Sequence, residues 1–257
     1  MTEAQVVVLA AGRGVRMNSS LPKVLVPVAG TPMILHLADA IERSLVCARP
    51  AMVIGHKGKD VRATLGDRYP YHYIEQKKQL GTGHAVQMCD GVFDPATKSL
   101  LVLYGDHPFI QPETIRRLVE GHASHPSPVT MMTSTLEDFH DWREPFLDFG
   151  RVLRDKEGRV IAVVERKDAT EPILRLREVN SGFFCFDTRW LWKNIHSLTN
   201  RNAAKEYYLP DLIPLAIRGG HVISTLPVDP FEAIGINTHE QLGLAERLLA
   251  ERQRKGL

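Results

Sequence analysis

Short apolar runs alternate along the chain with longer segments whose apolar residues recur every three or four positions. Several of the runs are apolar at consecutive positions, which is typical of strands that helices cover on both faces of a sheet. This alternation predicts a mostly parallel sheet between helical layers. The predicted strands of the first half are residues 5–10, 51–55, 71–75, 100–105 and 128–134.

The clearest helical pattern is "TPMILHLADAIERSL", residues 31–45, where Ile34, Leu37 and Ile41 fall on one face. Thr31 is predicted as the N-cap, with Pro32 at the first helical position. Two further helices are predicted over residues 55–67 and 111–122.

The pattern changes after residue 150. "RVLRDKEGRVIAVVE" predicts a hairpin that turns at "KEG", and an amphipathic helix is predicted to follow a capping box from Thr238 to Gln241. No linker rich in Pro, Gly or Ser divides the chain, so we expect this half to extend or cap the same sheet. The strands predicted here, besides the hairpin, are residues 181–187 and 221–229.

Composition narrows the class of protein. The 257 residues carry a formal net charge of +2, which is too small to favour nucleic acid or a membrane surface as a partner. No apolar run reaches the roughly 20 residues of a membrane span, and the N-terminus lacks the basic segment of a secretory signal. Cys47, Cys89 and Cys185 are scattered and odd in number, which argues against disulfides or a zinc site. We expect a cytoplasmic protein.

Residues 9–25, "LAAGRGVRMNSSLPKVL", follow the first predicted strand, where open parallel sheets bind ligands. Gly12 and Gly14 allow backbone to approach a ligand, while Arg13, Arg16 and Lys23 add positive charge. This combination suits a polyphosphate. The loop fits neither the dinucleotide fingerprint nor the P-loop, and a plain strand–helix connection with solvated arginines explains it equally well.

The rest of the chain supplies further motifs. "LAAGxGxRM…LPKxL" resembles the signature of sugar-1-phosphate nucleotidyltransferases. It is followed by "QLGTGHAV", "LYGDHP", "GRV", "VERKDA", "VNSG", "NAAKEYYLPDL" and "GINT". In this order the motifs are similar to the uridyltransferase domain of the bifunctional N-acetylglucosamine-1-phosphate uridyltransferase/glucosamine-1-phosphate acetyltransferase, over essentially the whole chain.

This resemblance implies a Rossmann-like three-layer α/β/α nucleotidyltransferase fold with a mostly parallel mixed sheet. It implies a single domain over residues 1–257, with a nucleotide-binding half over 1–110 and a sugar-binding half over 111–257. The left-handed β-helix of the bifunctional family, with its acetyltransferase activity and trimer interface, is not expected in this chain.

The implied reaction transfers UMP from UTP to N-acetylglucosamine-1-phosphate, with Mg²⁺ as the cofactor. By resemblance, Asp106 and Asn237 hold the metal, and Arg16 and Lys23 grip the phosphates. Read without the other motifs, Asp106 is a turn-forming residue before Pro108, and the two cations are solvated surface charges.

The remaining implied residues form two groups. Those that bind the nucleotide are Leu9, Ala10, Ala11, Gly12, Gly14, Gln76, Gln79, Gly81, Thr82, Tyr104 and Gly105. Those that bind the sugar phosphate are Gly150, Glu165, Asn180 and Tyr207. The sequence departs from the family pattern at Val15, and also at Phe149 and Ser181, which border the implied sugar pocket.

Two alternatives remain open. The chain could pair another nucleotide with another sugar phosphate, or it could bind a nucleotide sugar without catalysis. The implied reaction needs no proton transfer, so His84 and His107 are interpreted as packing or hydrogen-bonding residues.

Overall fold

The computed structural model describes residues 4–12, 14–17 and 19–255. Within these residues nine strands form one sheet and two short strands form a separate hairpin. The strands are β1 Ala4–Ala10, β2 Pro27–Val28, β3 Thr31–Pro32, β4 Ala51–Ile54, β5 His72–Glu75, β6 Ser99–Tyr104, β7 Val129–Thr135, β8 Arg151–Arg154, β9 Val160–Val164, β10 Glu178–Asp187 and β11 Ser224–Pro227.

Helices cover both faces of the sheet. They are α1 Met33–Ser44, α2 Gly58–Leu65, α3 Thr82–Gln87, α4 Pro112–Ala123, α5 Glu171–Leu174, α6 Thr188–Asn194, α7 Leu212–Arg218 and α8 His239–Lys255. Alternate residues of β1 face two separate cores. Val6 and Val8 pack with α1, α2 and α4, while Val7 packs in the cluster that holds α3, α6 and α7. The result is three layers.

The order across the sheet is β11-β7-β10-β6-β1-β4-β5. β1, β4, β5 and β6 are parallel, and β7 is parallel to β11, while β10 runs antiparallel to both β6 and β7. The predicted mostly parallel mixed sheet is confirmed. The register pairs Leu9 with Tyr104 and Ala10 with Ile54, so the loops that follow these strands emerge at one edge.

The second half of the chain does extend this sheet, because β10 is inserted between β6 and β7. The predicted hairpin forms as β8 and β9 and joins β10 where Val179 pairs with Arg151. The register of β10 shifts between Asn180 and Phe184, at a bulge where Gly182 has a φ of 79°. The bulge lies beside the second cavity described below.

One helix start was predicted wrongly. α1 begins at Met33, and Thr31 pairs with Val28 in an extended conformation and is not an N-cap. Ala29 and Gly30 have φ angles of 49° and 81°, so the chain turns tightly there and carries Thr31 back onto β2. No helix of the described residues is both long and apolar enough to cross a membrane.

Candidate active site

A cavity of about 280 Å³ opens at the carboxyl edge of the sheet, where β1, β5 and β6 end. Most of the residues predicted to bind the nucleotide, its phosphates or the metal line it. They are Leu9, Ala10, Ala11, Gly12, Lys23, Gln76, Gln79, Gly81, Thr82, Tyr104 and Asp106. Val24, Ala85 and Glu206 also form its wall, and no role had been predicted for them. We call this space the nucleotide cavity.

Two predicted glycines shape the cavity from behind. Gly14 has a φ of 62°, and a Cβ there would lie 2.5 Å from the Cβ of Lys23. Gly105 donates its N–H to the Leu9 carbonyl at 2.9 Å, and a Cβ there would lie 2.9 Å from Val24. Both positions therefore need glycine for packing. Arg13, which was predicted to add charge, lies outside the described residues.

The loop after β5 is held by its own amides. The buried Gln76 donates from Nε2 to the Gly81 carbonyl at 3.1 Å and lies 2.9 Å from Nδ1 of His84. Gln79 donates to the Gln76 carbonyl at 2.9 Å. Burial lowers the pKa of His84, which favours the neutral ring that accepts from Gln76. The predicted hydrogen-bonding role of His84 is confirmed.

Lys23 brings the two candidate metal ligands together. Its Nζ lies 2.5 Å from Oδ2 of Asp106 and 2.9 Å from Oδ1 of Asn237. Arg16 donates from Nη2 to the same Asn237 oxygen at 3.2 Å. These residues are far apart in sequence, and the fold places all four at one point beside the nucleotide cavity.

Two backbone contacts fix this arrangement. The N–H of Ile236 donates to the Asp106 carbonyl at 3.0 Å, which fastens the loop of Asn237 to the end of β6. Gln241 accepts from the N–H of Asn237 at 2.7 Å, and Thr238 accepts from the N–H of Gln241 at 3.2 Å. The predicted cap at the start of α8 therefore forms, and its glutamine holds residue 237.

The surroundings of Asp106 favour its ionised carboxylate. Burial acts to raise its pKa, but attraction to Lys23 and a hydrogen bond from it outweigh burial, so that the pKa is lowered. One carboxylate oxygen and one amide oxygen thus face a single cation. Among the described residues, Asp106 and Asn237 could hold a divalent metal ion here.

A second cavity of about 240 Å³ lies next to the first and shares Thr82, Tyr104 and Glu206 with it. Its wall includes three of the residues predicted for the sugar phosphate, which are Gly150, Glu165 and Asn180. The further residues of the wall are His107, Asp148, Phe149, Ser181, Gly182, Tyr208 and Pro210. We call this space the second cavity.

Tyr207 differs from the other predicted residues. Tyr208, its neighbour, lines the second cavity, whereas Tyr207 donates its N–H to Leu80 at 2.8 Å and accepts from the N–H of Gly83 at 2.7 Å. Its ring centroid lies 6.4 Å from that of His84. Its backbone therefore ties the wall of the second cavity to the loop of Gly81, and its contact with a sugar stays a prediction.

Glu165 has an unusual environment. Burial, followed by repulsion from Asp211 and Asp168, raises its pKa to about 7. A Cβ on Gly150 would lie 2.9 Å from Oε1 of Glu165, so glycine is needed for the carboxyl group to occupy this position. Near neutral pH, Glu165 therefore exists in both forms and can accept or donate a hydrogen bond.

Arg151 is a structural residue of the site; it lies in the motif "GRV", but no role was predicted for it. It is fully buried and donates to backbone carbonyls, among them those of Phe146 at 3.2 Å and Phe149. Its guanidinium carbon lies 4.5 Å from the centroid of the Phe139 ring. These contacts fix the segment that supplies Asp148, Phe149 and Gly150 to the second cavity.

The sheet topology and the two adjoining cavities define an α/β protein with space for ligands at the carboxyl edge of its sheet. The family model described as the MobA-like NTP transferase domain matches residues 6–182, and the chain belongs to this family. The resemblance predicted from the motifs is thus confirmed.

Curated relatives support the same family. The chain is 42% identical over 256 residues to "Bifunctional protein GlmU" of Heliobacterium modesticaldum, covering 99% of this chain and 54% of the relative. It is 38% identical over 252 residues to the protein of the same description from an Exiguobacterium species, covering 98% and 54%. The chain therefore spans about half the length of the curated relatives it matches.

A solved structure supports the fold. It is described as a glucose-1-phosphate thymidylyltransferase from Bacillus anthracis, and it superposes with a TM-score of 0.74 at 20% sequence identity. The match covers 95% of this chain and 94% of the other.

Proposed function

We propose that this chain transfers a uridylyl group from UTP to N-acetylglucosamine-1-phosphate, releasing UDP-N-acetylglucosamine and pyrophosphate in a Mg²⁺-dependent reaction of the cytoplasm. The observation that carries the proposal is the cluster of Arg16, Lys23, Asp106 and Asn237 at the nucleotide cavity, beside a second cavity large enough for part of a small ligand. The similarity to proteins named GlmU supports it.

The chemistry explains why cations and not a catalytic base gather here. The phosphate of the sugar substrate is already an anion, and it attacks the α-phosphorus of UTP in line. The protein must therefore position two polyanions and neutralise their charge. Arg16 and Lys23 have the charge and reach to hold the β- and γ-phosphates, and they stabilise the pyrophosphate as it leaves.

The donor set at residues 106 and 237 fits Mg²⁺. This ion prefers oxygen ligands and keeps several waters, so one carboxylate and one amide oxygen suffice from the protein. The two oxygens converge on the ammonium group of Lys23, and this arrangement supports the proposal that a cation binds at this point. When bound, the ion would supply charge neutralisation at the phosphates, while Lys23 would be free to turn toward them.

The walls of the two cavities suit the two substrates. The edge of uracil requires both a donor and an acceptor. Gln79 can offer both, and Gln76, whose Nε2 already bonds Gly81 and His84, can offer its amide oxygen as an acceptor. In the second cavity, Glu165 and Asn180 can bond sugar hydroxyls, and the N–H of Gly150 can serve an acetamido oxygen. The shared wall would bring the sugar phosphate next to the α-phosphate.

The test is pyrophosphate release with purified protein, across four nucleoside triphosphates and a set of sugar 1-phosphates, with Mg²⁺ or with EDTA. We expect turnover to be highest for UTP with N-acetylglucosamine-1-phosphate and to be lost in EDTA. Mass spectrometry of the product confirms the pair. A different preferred pair would contradict the proposed substrates, and tight binding of the product without turnover would favour the non-catalytic alternative.

A further inference from the structure

His107 directly follows Asp106 and forms part of the wall of the second cavity. Only 6% of the residue is exposed. Its ring lies between aromatic side chains, with ring centroids 5.2 Å from Phe183, 5.8 Å from Tyr104 and 6.3 Å from Phe149. His107 is therefore adjacent in the chain to the candidate metal ligand and borders the space assigned to the sugar.

The ring nitrogens of His107 have no hydrogen-bond partner in the part of the chain that the structure describes. Nδ1 is buried without a hydrogen bond, and no hydrogen bond to Nε2 forms within residues 4–12, 14–17 and 19–255. A buried polar group left in this state costs about 1–3 kcal/mol. Native proteins leave few such groups, and each calls for an explanation.

Two other histidines, the buried His122 and the half-buried His84, have hydrogen-bond partners. Nδ1 of His122 lies 2.8 Å from the hydroxyl of Thr130. Burial lowers the pKa of His122, as it does that of His84. Nδ1 of His84 lies 2.9 Å from the amide of Gln76. A purely structural histidine therefore finds a partner in this fold, and His107 differs from both.

The surroundings of His107 are shaped to admit an imidazole. A Cβ on Gly235 would lie 2.7 Å from Nε2, and a Cβ on Gly182 would lie 3.3 Å from Cε1. Two glycines thus leave a slot for the ring. Rotation about the Cβ–Cγ bond exchanges Nδ1 and Cδ2, so a ring nitrogen can be presented on either side without moving the backbone.

We propose that His107 is a specificity-determining residue, and that a ring nitrogen forms a hydrogen bond with a polar substituent of the sugar, a hydroxyl or an acylamino group, in the second cavity. This inference rests on the proposed function, since it requires a sugar phosphate in that cavity. Glu165, Asn180 and Gly150 line the same cavity, so His107 adds a further polar contact to those proposed for them.

The test compares the wild type with His107→Phe, which keeps an aromatic ring and removes both nitrogens. His122→Phe is the matched control, because it makes the same change at a buried histidine outside both cavities. The readout is kcat/KM for the preferred sugar 1-phosphate and for analogues that lack one hydroxyl or the acylamino group in turn.

In the wild type, we expect one analogue to be disfavoured by roughly 5- to 10-fold because it leaves His107 unpaired. His107→Phe should lower kcat/KM by that factor for the parent sugar and leave kcat/KM for that analogue unchanged. The ratio of the two kcat/KM values should therefore approach one. His122→Phe should keep the wild-type ratio. The Mg²⁺ concentration for half-maximal rate should stay within about 2-fold in His107→Phe, which distinguishes this effect from a disturbed Asp106.

Unchanged ratios in His107→Phe, or an equal loss with every sugar, would overturn the role of His107. If His107→Phe does not fold, His107→Leu removes both nitrogens with a smaller side chain, and calorimetry of sugar-phosphate binding should show that the discrimination is lost; retained discrimination there would also count against the proposal. Absence of turnover with every sugar phosphate in the wild type would instead contradict the proposed function.

Discussion

The ammonium nitrogen of Lys23 lies 2.5 Å from Oδ2 of Asp106, and both side chains are largely buried, with 17% and 15% of their surfaces exposed. The same nitrogen lies 2.9 Å from Oδ1 of Asn237. The ammonium group of Lys23 therefore occupies the point where the proposed divalent ion would bind. Substrate and metal binding should move Lys23 away from Asp106.

Asp106→Asn tests the carboxylate. It removes one negative charge while keeping the shape of the side chain, so we expect turnover with saturating Mg²⁺ to fall by about 100-fold or more, because charge neutralisation at the phosphates is lost. Sugar-phosphate affinity, measured by calorimetry, should change by less than about 2-fold. Asp67→Asn, on an exposed turn, is the control. Turnover of Asp106→Asn close to the wild type would remove Asp106 from the mechanism.

Arg16→Ala tests the phosphate grip. Arg16 is exposed and donates to Asn237, so its removal should disturb the fold little. Loss of a charge-assisted hydrogen bond should raise the KM for the nucleoside triphosphate by about 10-fold. Arg189→Ala removes an equal charge at an exposed position of α6 and should leave the KM unchanged. Equal KM values in the two variants would show that Arg16 does not contact the phosphates.

Gly14→Ala tests the packing of the phosphate loop. The new Cβ would lie 2.5 Å from the Cβ of Lys23, so Lys23 must shift. The backbone at residue 14 also has a φ of 62°, which strains an alanine. Gly30→Ala has the same backbone strain, with a φ of 81°, and meets nothing within 4 Å. Both variants should lose about 1 kcal/mol of unfolding free energy from strain.

Gly14→Ala should in addition lower kcat by at least about 10-fold, since Lys23 is displaced. Steady-state kinetics and urea unfolding on the two variants separate these effects. If both variants kept the wild-type kcat, the position of Lys23 would not matter for turnover.

Glu165 predicts a pH dependence of stability. Its pKa is raised from 4.5 to about 7, so the folded protein holds a proton there that the unfolded chain has released. The contribution of Glu165 to the free energy of unfolding should therefore be fully present below about pH 4.5 and be lost as the pH rises toward 7. We therefore compare the free energy of unfolding of Glu165→Gln with that of the wild type at two pH values. The difference in favour of the variant should be larger at pH 8 than at pH 5 by on the order of 2 kcal/mol, after allowance for partial exposure.

Urea unfolding at the two pH values measures this difference, with Glu171→Gln at an exposed position as the control. A difference between Glu165→Gln and the wild type that is the same at pH 5 and at pH 8 would show that the pKa of Glu165 is not raised.

The strands and most helices could be predicted because their patterns are local. A run such as "QVVVLA" must be buried on both faces wherever it lies, and β1 spans Ala4–Ala10 as expected within one residue. Thr31 shows the limit. Its sequence favours an N-cap, but the tight turn at Ala29 and Gly30 and pairing with Val28 override the local preference.

The candidate site could also be predicted only in part. Motifs marked Lys23, Asp106 and Asn237, and the fold brings them together across 214 residues of sequence between Lys23 and Asn237. Tyr208, and not Tyr207, lines the second cavity, because adjacent residues of an irregular segment face different ways and no period reports which. The unpaired nitrogen of His107 depends on what surrounds it in three dimensions, so the sequence could indicate only packing or hydrogen bonding.

The central claim is that Asp106 and Asn237 hold one divalent ion against the phosphates while Lys23 moves to them. Crystals grown with Mn²⁺ and a non-hydrolysable UTP analogue test it through the anomalous signal of the metal. We expect one peak at about 2.1 Å from an oxygen of each of the two side chains, with Nζ of Lys23 on a phosphate oxygen. A triphosphate bound with the metal elsewhere, and with Lys23 still between Asp106 and Asn237, would contradict the account.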